Sequence, residues 1–92
     1  MPNVVGMSWE DRSGRIDHLG PEHVWRQIAD DLRAEIESGA LPAGAKLPGE
    51  PELARIYGVA KATVHNAIVA LKDEGLLTVS LGRGTFVSRT TP

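Results

Sequence analysis

Residues 58–77 carry a cluster of side chains suited to binding a polyanion. Within two turns of a helix they offer a permanent cation, a hydroxyl, an imidazole and a carboxamide, which are Lys61, Thr63, His65 and Asn66. Cations and hydroxyls bind phosphate oxygens, and a carboxamide pairs with adenine through the major groove. The cluster therefore favours nucleic acid as a ligand. The alternative is an ordinary solvated helix face, with Thr63 bonded within its own turn.

A second cluster follows at Gly82-Arg83-Gly84. A glycine on each side lets the backbone approach a groove or a phosphate closely, and an arginine suits a narrow, negative minor groove. The alternative is a hairpin turn whose arginine is only solvated and binds nothing. The turn is not a nucleotide-binding P-loop, because the companion Lys-Ser/Thr is missing.

The hydrophobic pattern indicates which elements must position these side chains. Apolar residues recur at helical spacing and predict helices over about 21–38, from near 50 to Gly58, and over about 61–74. Pro21 suits the first turn of the first helix, and Gly39 suits its C-cap. Two apolar strands around the turn at 82–84 predict a β-hairpin.

The expected fold class is mainly α with a small β-hairpin, which is a winged helix-turn-helix of three helices plus a wing. In that motif the third helix presents its N-terminal half to the major groove, and the hairpin is the wing. Positions 62, 65, 66 and 69 lie on one helical face, so Ala62 joins the predicted contacts. The predicted DNA-binding residues are Lys61, Ala62, Thr63, His65, Asn66, Gly82, Arg83 and Gly84.

The domain boundaries follow from the same pattern. Residues 1–19 mix Pro, Gly, Ser and charges without a period, which predicts a flexible N-terminal tail or an arm that orders on a partner. Residues 20–88 are the predicted DNA-binding domain, and residues 89–92 a short C-terminal tail.

Charge and composition narrow the class of protein. The 92 residues carry a net charge of −2 and no cysteine, and no apolar run is long enough to span a bilayer. Residues 1–58 hold six Lys or Arg against ten Asp or Glu, whereas residues 59–92 hold four against two, so the C-terminal third is electropositive. We expect a cytoplasmic protein that is not an enzyme and uses no cofactor or metal.

Several ordered blocks carry a family resemblance. They are Q-I-A-x-x-L-R-x-x-I-x-S-G, L-P-x-E-x-E-L-A, G-V-x-x-x-T-V-x-x-A, E-G-L-L and G-R-G-T-F-V. Together they resemble the DNA-binding domain of GntR-family bacterial transcription regulators over about residues 21–88. The chain departs from the family pattern at Gly49 and Ala60, where serine is common, and at Lys61 and His65, where arginine is common. Pro51 replaces an arginine that contacts DNA in some members.

The resemblance implies a sequence-specific regulator of transcription that binds double-stranded DNA, acting as a repressor on a palindromic operator. It also implies a small-molecule effector site outside this chain. Since one such module supplies few contacts to DNA, we expect a homodimer that is weak or forms on DNA, and no membrane partner. The alternative function is a winged-helix protein-protein interaction module with little DNA affinity, which the acidic total and the missing arginines favour.

Overall fold

Three α-helices precede an antiparallel β-hairpin, as the sequence predicts. The computed structural model describes residues 9–88. In it α1 spans Val24–Ser38, α2 Glu50–Tyr57, α3 Lys61–Asp73, β1 Leu77–Ser80 and β2 Gly84–Val87. This order confirms the winged helix-turn-helix. Across residues 9–88, none of the helices is long and apolar enough to cross a membrane.

Glycines end the first two helices, also as predicted. Gly39 and Gly58 adopt left-handed φ values of 87° and 68°, and each donates its N–H to a carbonyl of the preceding turn. Left-handed φ and ψ angles turn the chain out of the right-handed helix, and glycine adopts them readily because it has no Cβ to clash with the backbone. The chain therefore leaves α2 abruptly and enters α3 after three residues.

The first helix begins at Val24, so the predicted start at Pro21 is wrong. The side chain of Gln27 explains the delay. Its Nε2 donates to the carbonyls of Asp17 (2.8 Å) and Glu22 (2.9 Å), and its Oε1 accepts from the Asp17 N–H (2.7 Å). These bonds hold the preceding backbone in an irregular turn, with His23 as the N-cap residue.

One core joins the helices to the hairpin. Residues that are almost fully buried line the facing sides of α1 and α3, namely Ile28, Ala29, Leu32, Val64, Ala67, Ile68 and Leu71. The short helix α2 adds Leu53 and Tyr57, and the connecting loop adds Leu41 and Leu47. Since α2 has only eight residues, its stability depends on this packing.

The hairpin is held to the helical body by a third extended segment. Leu77 of β1 pairs with Val87 of β2, and Ser80 pairs with Gly84. On its other edge β2 bonds to residues 44–47, through Gly44 N–H to Val87 C=O (2.9 Å), Val87 N–H to Ala45 C=O (2.8 Å) and Leu47 N–H to Thr85 C=O (2.8 Å). The wing is therefore anchored at its base.

The prediction of a flexible tail over residues 1–19 is wrong for residues 9–19. Ile16 joins the hydrophobic core, and Arg12 is only 4% exposed. The Arg12 N–H donates to the Ile56 carbonyl at the end of α2 (2.7 Å). This segment, called the N-terminal arm (residues 9–19), packs against the domain because it brings its own apolar and charged partners. Residues 1–8 and the predicted C-terminal tail 89–92 lie outside the described residues.

Candidate nucleic-acid interface

The N-terminal half of α3 presents four of the predicted residues on one open surface. Lys61, Ala62, His65 and Asn66 are exposed and line a shallow hollow together with Glu50 of α2. Thr63 is half-buried and does not line this hollow. The structure thus brings the cation, the imidazole and the carboxamide together, and sets the hydroxyl to one side.

Glu50 is the member of this surface that the sequence analysis did not identify. Its Oε2 lies 2.9 Å from Nδ1 of His65, with 28% of the Glu50 side chain and 59% of the His65 side chain exposed. The contact exists because the helix-turn-helix places the first turn of α2 beside the first turns of α3. The sequence contains one indication of its place. An acidic residue is favourable at the start of a helix, and Glu50 stands at the start of the predicted second helix.

A wider groove runs between the wing and the two helices. Its walls are the start of α2, Lys61 of α3 and the wing residues 79–85, with Arg83 exposed at the tip of the turn. All three predicted wing residues line this groove. A polyanion in it would therefore meet Lys61 on one side and Arg83 on the other.

The backbone conformation at position 84 favours glycine, and the side chain of Lys46 lies close to it. The φ of Gly84 is 121°, and a Cβ built there would lie 2.9 Å from Cε of Lys46. The aliphatic part of Lys46 thus lies against the wing, and its ammonium adds a cation beside the turn. Lys46 is a second residue that sequence reasoning missed, because it lies in a loop far from the wing along the chain.

The wing also exposes apolar side chains. Leu81 is 97% exposed and Val79 is 43% exposed, and both line the groove. The sequence pattern predicted both residues only as part of an apolar strand. Their position gives the groove an apolar wall suited to sugar rings or thymine methyl groups.

The first turn of α3 carries no side-chain cap. Ala60 is the N-cap residue, with an extended backbone (φ −70°, ψ 151°), and its methyl group cannot accept a hydrogen bond. The first amides of a helix carry partial positive charge and bind anions. This end of α3 therefore offers N–H groups as well as Lys61 to a phosphate.

Comparison with known proteins decides the family. The family model described as "Bacterial regulatory proteins, gntR family" matches residues 25–87, which include α1 without Val24, and all of α2, α3 and the wing. The chain belongs to the gntR family. Its resemblance to that family, first visible in the sequence blocks, is thereby confirmed.

Proteins of similar sequence include transcriptional regulators. The chain is 39% identical over 74 residues to the HTH-type transcriptional repressor NagR of Bacillus subtilis, covering 80% of this chain and 30% of that protein. It is 44% identical over 66 residues to an uncharacterized HTH-type transcriptional regulator of Rhizobium meliloti, covering 72% of this chain and 27% of the relative. The chain therefore spans less than a third of the length of these relatives.

Solved gntR-type structures share the fold. YtrA from Sulfolobus acidocaldarius, a GntR-family transcription factor, superposes with a TM-score of 0.77 at 37% identity, over 83% of this chain and 80% of that one. The DNA-binding domain of AraR, solved in complex with operator ORX1, superposes with a TM-score of 0.70 at 31% identity, over 79% of this chain and 94% of that one.

Proposed function

We propose that this gntR-family chain binds double-stranded DNA sequence-specifically and regulates transcription, as a repressor. The observation that carries the proposal is the shared surface of α3 and the wing, where Lys61 and Arg83 border one groove. Two findings support it further. The AraR domain of the same fold was solved on operator DNA, and NagR and MngR among the relatives are named repressors.

The third helix enters the major groove in this proposal. Lys61 contacts a phosphate or a guanine, and Asn66 pairs with adenine. The Ala62 methyl group lies against a thymine methyl group, His65 contacts a base or a phosphate, and Thr63 contacts a phosphate at the edge of the helix. These roles fit a surface in which Lys61, Ala62, His65 and Asn66 surround one hollow.

The wing contacts the adjacent minor groove or backbone in this proposal. Arg83 supplies the charge, and the positive φ values of Gly82 (78°) and Gly84 (121°) allow the tight turn that carries it. Lys46 adds a second cation at the same edge. A single module of this kind buries roughly 600–1,000 Å² on DNA, so two copies on a palindrome are needed for tight binding.

A salt titration tests the proposal. For duplexes selected from a random pool, the logarithm of the binding constant should fall linearly with the logarithm of the salt concentration. The slope should be roughly −5 if two copies together neutralise about six phosphates. Lys61→Ala should reduce the slope in magnitude by about 1 for each copy bound. Lys72→Ala is the matched control, since Lys72 is exposed in the last turn of the same helix.

A protein-interaction module is the second candidate, and Glu50 is the observation that favours it. A carboxylate within the hollow of α3 opposes phosphate binding, and the chain carries a net charge of −2. If no duplex from the pool binds at low salt, this second function replaces DNA binding. If binding occurs but Lys61→Ala and Lys72→Ala change it equally, the proposed docking of α3 is wrong.

A further inference from the structure

The contact between Glu50 and His65 constrains the chemistry of the imidazole. An ionised carboxylate accepts hydrogen bonds and donates none, so the 2.9 Å contact requires a proton on Nδ1 of His65. A neutral imidazole carries only one ring proton. With that proton on Nδ1, the remaining nitrogen Nε2 has a lone pair and acts as an acceptor.

Protonation reverses the character of Nε2. The imidazolium carries a proton on both nitrogens, so Nε2 becomes a donor while Nδ1 continues to donate to Glu50. As a class of side chain, histidine changes charge between about pH 5 and 8. The same side chain in the same place therefore offers either an acceptor or a cationic donor to whatever lies in front of α3.

Base edges in the major groove distinguish these two states. Adenine N6 and cytosine N4 are donors, and they pair with an acceptor. Guanine N7 and O6 are acceptors, as are phosphate oxygens, and they pair with a donor. An imidazole held in one tautomer can therefore discriminate bases, whereas one that exchanges its proton between the two nitrogens accepts both classes.

The charges around His65 come from each neighbouring element. Glu50 faces it from α2, Lys61 lines the same hollow on α3, and Arg83 of the wing lines the adjoining groove together with Glu50 and Lys61. The Ala62 and Asn66 side chains that complete the hollow are uncharged. Among these groups, Glu50 is the one in hydrogen-bond contact with the imidazole.

We propose that Glu50 is a positioning and specificity-determining residue, which fixes the tautomer of His65 and makes base preference at one operator position depend on pH. Neutral His65 prefers the amino groups of adenine or cytosine, and protonated His65 prefers guanine or phosphate. This inference rests on the proposed DNA binding for its function, but the tautomer itself is a property of the free protein.

The first experiment measures the tautomer without DNA. In long-range ¹H–¹⁵N spectra at pH 8, Nδ1 of wild-type His65 should resonate as a protonated nitrogen and Nε2 as an unprotonated one. In Glu50→Gln the signal should move toward the Nε2–H form that imidazole favours in water. A wild-type His65 already in the Nε2–H form would overturn the proposal, whatever the variants do.

The second experiment selects bound duplexes from a random pool at pH 8 and at pH 6. With the wild type, one base position of the selected duplexes should change from adenine or cytosine at pH 8 to guanine at pH 6. Alternatively, that position should lose its base preference at pH 6 because protonated His65 binds a phosphate instead. Glu50→Gln should lower base discrimination at pH 8 at that position by roughly fivefold, the factor for one net hydrogen bond. His65→Gln should remove the dependence on pH.

Glu52→Gln is the matched control. Glu52 also lies in the first turn of α2, pairs with Arg55 and does not line the hollow of α3. Both glutamate variants remove one negative charge and should raise affinity for all duplexes, but only Glu50→Gln should lose discrimination. Equal discrimination in Glu50→Gln and Glu52→Gln would overturn the proposal.

The outcomes separate this inference from the proposed function. If the wild type binds no duplex at low salt but shows the Nδ1–H form, DNA binding fails, and with it the pH-dependent base preference, while the tautomer assignment stands. If the wild type binds DNA with the same base preference at both pH values, only the role of Glu50 and His65 fails.

Discussion

At the scale of single residues, the candidate interface depends on few charges. Lys46, Lys61 and Arg83 supply the cations around the wing and α3, and Glu50 opposes them. Lysine lacks the bidentate fork of arginine, so Lys61 acts as a point charge where the gntR pattern commonly has an arginine. Arg83 is then the one side chain of the predicted site that can bind a phosphate in bidentate fashion.

Arg83→Ala should lower DNA affinity on all sequences by a similar factor. The reason is that a wing arginine contacts the backbone or reads groove width, which carries little base information. The salt slope should fall in magnitude by about 1 for each copy bound, measured by fluorescence anisotropy. Arg26→Ala is the control, since Arg26 is 53% exposed on α1 and pairs with Glu22. A changed base preference at unchanged affinity would contradict a backbone-reading wing.

At the scale of elements, the turn between α2 and α3 sets the direction of α3. Gly58 ends α2 in the left-handed region, and Val59 N–H donates to the Ala54 carbonyl (3.0 Å). The N-terminal arm packs directly on this turn. Cβ of Ser13 lies only 3.0 Å from the position that a Cβ would take at Gly58. The angle of α3 therefore depends on both the glycine and the arm.

Gly58→Ala should destabilise the fold more than Gly39→Ala does. Both substitutions place alanine at positive φ, at a cost of about 1 kcal/mol. At Gly58 the new methyl group also crowds Ser13, whereas at Gly39 nothing lies within 4 Å. Urea unfolding should give a lower midpoint for Gly58→Ala. Equal midpoints would mean that the arm moves aside without cost.

Ala60→Ser should stabilise the domain by about 1 kcal/mol. Ala60 already has the extended backbone of an N-cap residue, and no side chain caps the first amides of α3. A serine hydroxyl there accepts from the N–H of the second or third helical residue. The free energy of unfolding in urea is the measurement. An unchanged free energy would indicate that the serine adopts a rotamer directed away from the helix.

At the scale of the whole molecule, ion pairs connect segments that are distant in sequence, and the pair formed by Arg12 and Asp31 is largely buried. Arg12 Nη1 donates to Asp31 Oδ2 (2.8 Å) and the Tyr57 hydroxyl donates to the same oxygen (2.6 Å), which joins the arm to α1 and α2. Arg33 pairs with Glu74 and joins α1 to the end of α3. The ring of Trp9 covers the Arg12 guanidinium, with 4.6 Å between the guanidinium carbon and the ring centroid.

The pKa of Asp31 reflects this network. Burial by itself raises the pKa, but hydrogen bonds from Tyr57, Arg15 and Arg12 together outweigh burial and hold the pKa below its ordinary value. The pKa of Tyr57 is raised, first by burial and then by its hydrogen bond to Asp31. Both groups therefore keep their charge states, carboxylate and phenol, at neutral pH.

Asp31→Asn should lower the free energy of unfolding at pH 7 by about 2 kcal/mol, because it removes charged hydrogen bonds from a nearly buried arginine. A carboxyl whose pKa is depressed by folding stabilises the fold above its unfolded pKa, about 3.9, and loses that contribution as pH falls through the folded pKa. The difference in the free energy of unfolding between wild type and variant, measured in urea, should therefore shrink below about pH 4.

Asp30→Asn provides the control for that measurement. Asp30 is adjacent, 57% exposed and paired with Arg33 at the surface, so its loss should cost less than about 1 kcal/mol. Equal losses for Asp30→Asn and Asp31→Asn would contradict a stabilising role for the buried network.

Local patterns predicted most of the fold correctly. Helical spacing predicted the ends of α2 and α3 to within a residue. Gly39 and Gly58 marked the C-caps of α1 and α2, because left-handed backbone is a local property. The start of α1 was predicted too early, since the side chain of Gln27 captures the backbone before it and no local pattern reports that contact.

The sequence by itself determined the class of fold, the helix α3, the wing and the family resemblance, because these depend on periodicity, on glycine and on ordered motif blocks. Tertiary structure alone decided that Glu50 meets His65, that Lys46 lies against Gly84, and that Arg12 and Ile16 bring the arm into the core. Each of these contacts joins residues at least 15 positions apart, or fixes a segment without any period. Such contacts depend on how the helices pack, and packing is a property of the whole chain.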